Sequence, residues 1–311
     1  MSAERVEDHY ARSGSGGAIA ARIVAAVRMH AGAEAAITPE ALAPVDHLHG
    51  RGPLATADLV AMLEPQAREA ILDIGSGLGG PARWIASRFG CAVTGVDLTE
   101  EHCDAARELN ATCGLSDRVR ILQGSATALP LPDAGYDRAY SHNVVMNIAD
   151  KAAVYREAFR VLKPGGRLVL FHVNAGPNGP VNVFPVGWAS VPENSFLATH
   201  EETRRDLAAA GFDIATYREV AAAASAELRR KLETEGLPPL GPHIVRQGDG
   251  LQMLINSMRA REDGRACEVQ ILARKPGYTT GRVCRPCRRW RPSSWPPRLP
   301  CRSSVPWSWP I

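Results

Sequence analysis

Ile71-Leu72-Asp73-Ile74-Gly75-Ser76-Gly77-Leu78-Gly79-Gly80 is the stretch on which the reading of this chain turns. A short apolar run ends in an acid and then breaks into a glycine-rich turn. A helix is predicted over about Pro81–Phe89. Ala92-Val93-Thr94-Gly95-Val96-Asp97 follows, a second β-rich run that again ends in an acid. Strand, glycine turn, helix, strand, acid is the order of a nucleoside-binding βαβ unit. Glycine lets the backbone approach a ligand where a Cβ would collide. Asp97 lies about 20 residues beyond the turn, where a ribose diol would find an acceptor.

The motif narrows the ligand without fixing it. A dinucleotide site wants G-x-G-x-x-G with a helix N-terminus aimed at the pyrophosphate. Here the order is G-x-G-x-G-G, so the third glycine comes one position early. Asp73 stands two residues before the first glycine. A negative group there repels a pyrophosphate and suits a cation. S-adenosylmethionine, with a sulfonium and an ammonium, fits better than a dinucleotide. A dinucleotide site, and a glycine turn that binds nothing, remain the alternatives.

The 311 residues suit one α/β domain with additions, or two small domains, and 45% hydrophobic residues supply a substantial core. The net charge of +3 hides a break. Gly277–Ile311 holds seven Arg, no Lys and no acid, which leaves 29 basic against 33 acidic residues in positions 1–276. A mildly acidic body offers no nucleic-acid surface. Cys91, Cys103, Cys113 and Cys267 match no metal or disulfide spacing, so neither is expected. Scattered thiols fit a reducing, cytoplasmic setting. The start, MSAERVEDHY, mixes both charges, and the apolar run Ala18–Val27 is short and interrupted by Arg22. It reads as an amphipathic helix, not as a signal peptide or membrane span, so no stable membrane association is expected.

Along the chain, residues 4–30 read as helix with an interruption at 13–17, and Pro39–Pro53 as a loop. Further helices are predicted at about Leu54–Leu63, Glu100–Cys113, Lys151–Leu162 and Glu201–Ala210. Strands are predicted at Val119–Gln123, Tyr136–Ser141, Arg167–Val173, Phe212–Val220 and Cys267–Lys275. Asn174–Thr199 reads as irregular, and a stretch of that length suggests a functional lid. With the first two runs this makes an α/β fold: a doubly wound, seven-stranded, mostly parallel sheet with an antiparallel edge. The predicted organisation is a helical cap and loop over residues 1–53, the main domain over 54–276 with its lid at 174–199, and an extension over 277–311.

Four motifs occur in order: LDIGSGLGG, GVDL, Gln123-Gly124-Ser125-Ala126 with LPLPDAGYD, and RVLKPGGRL. Together they resemble the class I S-adenosylmethionine-dependent methyltransferase family over about residues 40–276, which implies a Rossmann-like fold and S-adenosylmethionine as cofactor. Asp46-His47-Leu48-His49 with Gly52 and Thr56, and Met146-Asn147-Ile148-Ala149-Asp150-Lys151, resemble a small-molecule branch. That branch includes sarcosine/dimethylglycine and phosphoethanolamine N-methyltransferases and lies near the quinone C-methyltransferases. The resemblance implies that Asp73, Gly75, Ser76, Gly77 and Gly79 line the methionine end of the donor. Asp97 would take the ribose hydroxyls, Leu98 would pack on the adenine, and Ala126 would offer its N–H to the ring. Ser125 stands where the family usually has an aspartate. His142 is also expected against the donor, although it falls one place before the family's histidine.

Methyl transfer is an in-line displacement at an already activated methyl, so alignment is most of the catalysis. A neutral amine needs little more, whereas a hydroxyl or an acidic carbon needs a base. His142 and His49 are the candidate bases, ahead of His47 and His200; each could equally be an ordinary loop or capping histidine. Asn143, Asn147 and Trp188 are candidate substrate residues, and Asn147 could instead pin its loop. Phe184, Trp188 and Phe196 could make an aromatic wall for a cationic amine or a flat apolar body, or simply anchor the segment. Tyr10 could close over the donor. The expected reaction is methylation of a small-molecule amine, with C- or O-methylation of a quinone-like or phenolic metabolite second and a non-catalytic nucleoside-binding module third.

The extension holds four of the six Trp, seven of the 23 Pro and three of the seven Cys, with no hydrophobic period. Cys284-Arg285-Pro286-Cys287 has no second pair to complete a zinc site. The fold is expected to be complete near Pro276. The extension is read as a disordered, out-of-frame addition, which sequencing the message across codon 276 would check.

Overall fold

The computed structural model describes residues 16–49, 51–220, 223–245 and 250–277. Tyr10, the first part of the predicted N-terminal helix and the extension beyond residue 277 lie outside them. Seven strands form one sheet: β1 Ala70–Ile74, β2 Ala92–Asp97, β3 Val119–Gln123, β4 Tyr136–His142, β5 Leu162–Ala175, β6 Asp213–Glu219 and β7 Ala266–Arg274. Their order is β3-β2-β1-β4-β5-β7-β6. The pairs from β3 through β5 are parallel, and β7 runs antiparallel to both its neighbours. The antiparallel strand is therefore one in from the edge, and β6 forms the edge. The order reverses between β1 and β4, and a crevice opens beyond their carboxyl ends.

Helices cover both faces. On one, α3 (Gly52–Leu63), α4 (Gly80–Phe89) and α5 (Glu100–Thr112) bury Leu59, Ile85 and Cys103 against Ile71, Val93 and Phe171. On the other, α6 (Lys151–Val161) and α7 (His200–Ala209) bury Tyr155, Ala158 and Leu207 against Leu72, Leu168 and Ile271. The central strands β1 and β5 are buried on both faces, which is why they read as apolar runs, whereas β3 alternates and β6 at the edge is largely exposed. α1 (Gly16–Ala31) presents Ile19, Ile23 and Val27 to Leu42, Leu78 and Leu109, so it caps the glycine turn. α8 (Ala223–Glu235) and α9 (Gly250–Glu262) follow β6.

Three expectations change. Pro39–Asp46 is a helix, α2, and not a loop. Thr38 caps it, its hydroxyl accepting from Ala41 N at 3.2 Å. Pro39 falls in the first turn, where a missing N–H costs nothing. Second, β5 begins at Leu162, so the Lys163-Pro164-Gly165-Gly166 turn lies within the strand's span instead of separating helix from strand. Gly165, at φ +81°, donates its N–H to Lys275 O at 3.0 Å and ties that turn to the end of β7. Third, Asn174 and Ala175 belong to β5, and residues 176–199 are a packed wall more than a loose lid. Val186, Trp188 and Ala189 are buried there. Gly187 N donates to Ser257 Oγ at 2.8 Å, and Asn256 Nδ2 donates to Pro185 O at 2.9 Å, fastening the wall to α9.

Candidate active site

The crevice holds a cavity of about 710 Å³, well inside the roughly 300–1,000 Å³ of small-molecule sites. Its first half is made by the glycine turn. Gly75 N and Ser76 N both donate to Val96 O, at 2.7 and 3.1 Å, which folds the turn back over β2. Gly77 N donates to Asp97 Oδ2 at 2.7 Å, and Thr99 N to Asp97 Oδ1 at 3.0 Å. The two acidic ends of β1 and β2 are thereby locked together, while a carboxylate with about four lone-pair sites keeps capacity for a ligand. Gly77 sits at φ +51° on the cavity wall, and the nearest atom to a Cβ there would be Leu48 Cδ1 at 3.7 Å. Gly75, at φ +78°, has Val144 directly against the place its Cβ would occupy.

Asp73, Gly75, Ser76, Gly77, Asp97, Leu98, Ser125, Ala126 and His142 all line this cavity. Gly79 is the correction. It caps α4 at φ +72°, and a Cβ on it would meet Arg83 Nη1 at 3.1 Å and then Ala106 and Ile121, all in the core. Its glycine is required by the turn and not by a ligand. Ser125 bonds within its own loop, its hydroxyl 2.8 Å from Thr127 Oγ1 and accepting from Thr127 N at 3.2 Å. Asp73 is 2% exposed and accepts from Tyr140 OH at 2.8 Å. Burial pushes its pKa up to about 7, the Tyr140 bond opposes this, and the Asp97 charge adds to the rise. A buried acid that ionises so reluctantly is well matched to a cation arriving beside it.

The second half is built from side chains. The His49 and His142 rings stack at 3.6 Å between centroids with 14° between planes. Thr56 Oγ1 lies 2.9 Å from His47 Nδ1 and 3.3 Å from His49 Nε2, so α3 sets the orientation of both. Burial, then the neighbouring His49, His47 and Arg51, holds the His142 pKa well below the ordinary histidine range. Burial takes His47 down to about 3, and His47 stays outside the cavity. Asn143, at φ +57°, and Asn147 line the wall with Trp188 and Phe196. Asn147 Nδ2 donates to Trp188 O, and Trp188 Nε1 to Ser195 Oγ at 2.9 Å. Asn147 therefore pins the 176–199 wall; the cap of α6 is Asp150, which accepts from Ala153 N at 2.9 Å. Phe184 packs behind this wall, and His200 is not among the lining residues.

Residues 72–170 match the family model described as methyltransferase domain. The chain carries a methyltransferase domain. The chain is 37% identical over 110 residues to 24-methylenesterol C-methyltransferase 2 of Oryza sativa subsp. japonica, covering 35% of this chain and 30% of that protein. It is 36% identical over 107 residues to the glycine/sarcosine/dimethylglycine N-methyltransferase of Actinopolyspora halophila, covering 34% of this chain and 19% of the relative. The matched stretches span less than half the length of these curated relatives. The fold is also that of Haemonchus contortus phosphoethanolamine N-methyltransferase 2, solved in complex with S-adenosyl-L-methionine: TM-score 0.60 and 20% identity, over 81% of this chain and 56% of that one.

Several residues of the cavity escape a reading of the sequence. Leu228 of α8, Leu254 and Met258 of α9, and Arg261, Cys267 and Glu268 beside them supply the far wall. Their only sequence signal is the amphipathic spacing of two short helices, which says that they face something and not what. Arg83 is the other. It is fully buried and donates to Asp46 Oδ2 at 2.7 Å, Asn110 Oδ1 at 2.8 Å and Leu78 O at 2.6 Å. One guanidinium thus braces the back of the glycine turn and the approach to His47.

Proposed function

We propose that the protein is an enzyme that moves the methyl group of S-adenosylmethionine onto a small-molecule acceptor, and that the acceptor atom is an amine nitrogen. The observation that carries the acceptor reading is the His142 ring, stacked on His49 and held neutral by burial. An imidazole whose protonated form is so disfavoured makes a weak general base. An amine brings its own lone pair and gives its proton to solvent afterwards. The cofactor supplies a methyl already activated for displacement. Every other task falls to the chain. Asp97 orients the ribose, Asp73 faces the charged methionine end, and the glycine turn admits both without a Cβ in the way. Trp188 and Phe196 close the acceptor side against water and offer ring faces to the positive charge that develops on the amine nitrogen as the methyl transfers. Alignment of this kind is worth about 7–11 kcal/mol.

The residues fit the cofactor on three counts: an open place beside Gly77, a buried acid poised to ionise, and a carboxylate at the end of β2. A second reading, C-methylation, is favoured by Leu228, Leu254 and Met258, which suit an apolar acceptor. It fits a weakly basic His142 too, because a methylated alkene becomes a carbocation acidic enough for a poor base. O-methylation of a phenol fits least. Among the described residues no helix is long and apolar enough to cross a membrane, and free, scattered thiols favour a cytoplasmic setting. The test is a metabolite screen that reads S-adenosylhomocysteine release, repeated on His142→Ala and His49→Ala. Turnover of amines that survives both variants supports the proposal. Turnover confined to phenols or quinone precursors and lost with either histidine overturns it.

A further inference from the structure

The far rim of the cavity carries a cluster that methyl transfer does not use. Glu219 ends β6, Cys267 is the second residue of β7, and His200 opens α7. Glu219 and Cys267 line the cavity, and His200 stands beside them. His200 Nε2 is 3.4 Å from Cys267 Sγ and 3.5 Å from Glu219 Oε2, and all three donor atoms lie within 4.8 Å of one another. Tetrahedral zinc, with bonds of about 2.0–2.3 Å, places neighbouring ligand atoms roughly 3.3–3.6 Å apart. The two spacings from His200 Nε2 fall in that range before any ion arrives.

Two further features point the same way. The other ring nitrogen, His200 Nδ1, lies 2.9 Å from Tyr217 OH, which accepts from Asn174 Nδ2 at 2.9 Å. A remote N–H given to a fixed oxygen sets the tautomer and directs the Nε2 lone pair outward, as in metal-bound histidines. A divalent cation would turn thiol into thiolate and neutralise two anionic ligands at once. Arg261, the nearby competing cation, is already paired with Glu268 at 3.4 Å.

We propose that His200 Nε2, Glu219 Oε2 and Cys267 Sγ form a site for one thiophilic divalent cation of the zinc class at the cavity rim. Binding breaks the Cys267 S–H bond, forms a metal–sulfur bond and releases one proton to the buffer; nothing is oxidised or reduced. Three protein ligands leave a fourth position for water or for a group of a molecule in the cavity. The ligands come from positions 200, 219 and 267 on three elements, so no linear spacing betrays them, and the expectation of no metal site rested on linear spacing alone.

The probe is cobalt(II), whose thiolate complexes absorb by sulfur-to-metal charge transfer. The full chain is titrated with Co²⁺ and then with Zn²⁺ in competition. Because Cys284, Cys287 and Cys301 also carry thiols, the same titration is run on the Cys284→Ser, Cys287→Ser, Cys301→Ser triple variant. Expected are one equivalent bound, one proton released, a thiolate–cobalt band retained in the triple variant and its displacement by zinc. Cys267→Ser in that background should abolish the band. Glu219→Gln, on a side chain 56% exposed and so without threat to the fold, should weaken cobalt binding at least tenfold. Absence of the band in the triple variant, or its persistence unchanged through Cys267→Ser and Glu219→Gln, overturns the proposal. S-adenosylhomocysteine affinity, measured alongside, reports separately on the methyl-donor reading.

Discussion

The two halves of the cavity are built in different ways. The half at β1, β2 and the glycine turn is made mostly of backbone and two carboxylates, all within residues 73–126. The half around His49, His142, Asn147, Trp188, α8 and α9 is made of side chains drawn from positions 48–268. A backbone site demands particular residues at fixed spacings, because only glycine allows the φ values and the close approach. A side-chain site can be met by many residues at many positions, provided their faces converge. The first should therefore bind one fixed ligand, and the second should be free to vary in its partner. The matched relatives fit that division, one being a C-methyltransferase and another an N-methyltransferase.

The hardest blow to the backbone half is Gly77→Val. At φ +51° a β-branched residue pays about 1–2 kcal/mol merely to exist there, and its side chain would stand in the cavity. S-adenosylhomocysteine binding measured by calorimetry should fall at least a hundredfold, about 2.8 kcal/mol, with the far-UV spectrum of the native fold kept. Binding within tenfold of the native value would mean that the turn is not the donor site. Asp97→Ala comes next. It removes the proposed ribose acceptor together with the anchor of Gly77 N, and hydrogen bonds to charged groups are worth about 1.5–3 kcal/mol. The donor should bind about 2–3 kcal/mol more weakly, while an unchanged dissociation constant would move the ribose elsewhere.

The same contrast explains what could be read in advance. β1 and the glycine turn are legible because a parallel strand buried on both faces must be an apolar run, and because the turn needs glycine. β3 is legible instead from alternation, Val119 and Ile121 buried with Arg120 exposed between them. Gly79 misled because φ +72° at a helix cap and close approach to a ligand demand the same residue. Pro39–Asp46 departs from the expected loop because Pro39 sits in the first turn, where it is welcome, and the eight-residue helix tolerates Pro44 inside it with Leu42, Ala43 and Val45 buried around it. The 176–199 wall was legible only as a gap in periodicity, since Val186, Trp188 and Ala189 are held by partners on α9 and at Asn147. The His49–His142 stack was half legible: each residue stood out, but their contact spans the chain from the start of α3 to the end of β4.

A smaller effect separates the charge of the donor half from its shape. Asp73 in the free protein ionises only near pH 7, whereas an unfolded aspartate does so near 3.9. Its folded pKa is raised, so its contribution to stability is full below about pH 3.9 and is lost as pH rises through 7. Binding of a cationic donor has the opposite sign, because the donor calls for the carboxylate. Below pH 7 each binding event expels a proton, and affinity should drop about tenfold, or about 1.4 kcal/mol, per unit of pH lost. Above pH 7 it should level off. Calorimetry with S-adenosylmethionine between pH 5.5 and 8.5, in buffers of different ionisation enthalpy, reads both affinity and proton release, and Asp73→Asn should give a flat, weaker profile. A flat profile in the native protein would leave Asp73 without contact to the donor's charge.

The mildest change tests whether the halves are separable at all. Trp188→Phe keeps an aromatic face toward the cavity and leaves the Asn147 bond to the residue 188 carbonyl intact. It removes only the Nε1 donation to Ser195 Oγ and some ring area. A neutral hydrogen bond is worth about 0.5–1.5 kcal/mol, so the wall should loosen without collapsing. The acceptor's KM should rise about two- to tenfold, with the S-adenosylhomocysteine dissociation constant unmoved, since Trp188 packs with Met146, Val173 and Ala260, away from the glycine turn's own partners. If donor affinity fell in step with the acceptor, the wall and the turn would be one mechanical unit. The freedom of the side-chain half to evolve apart from the backbone half would then have to be given up.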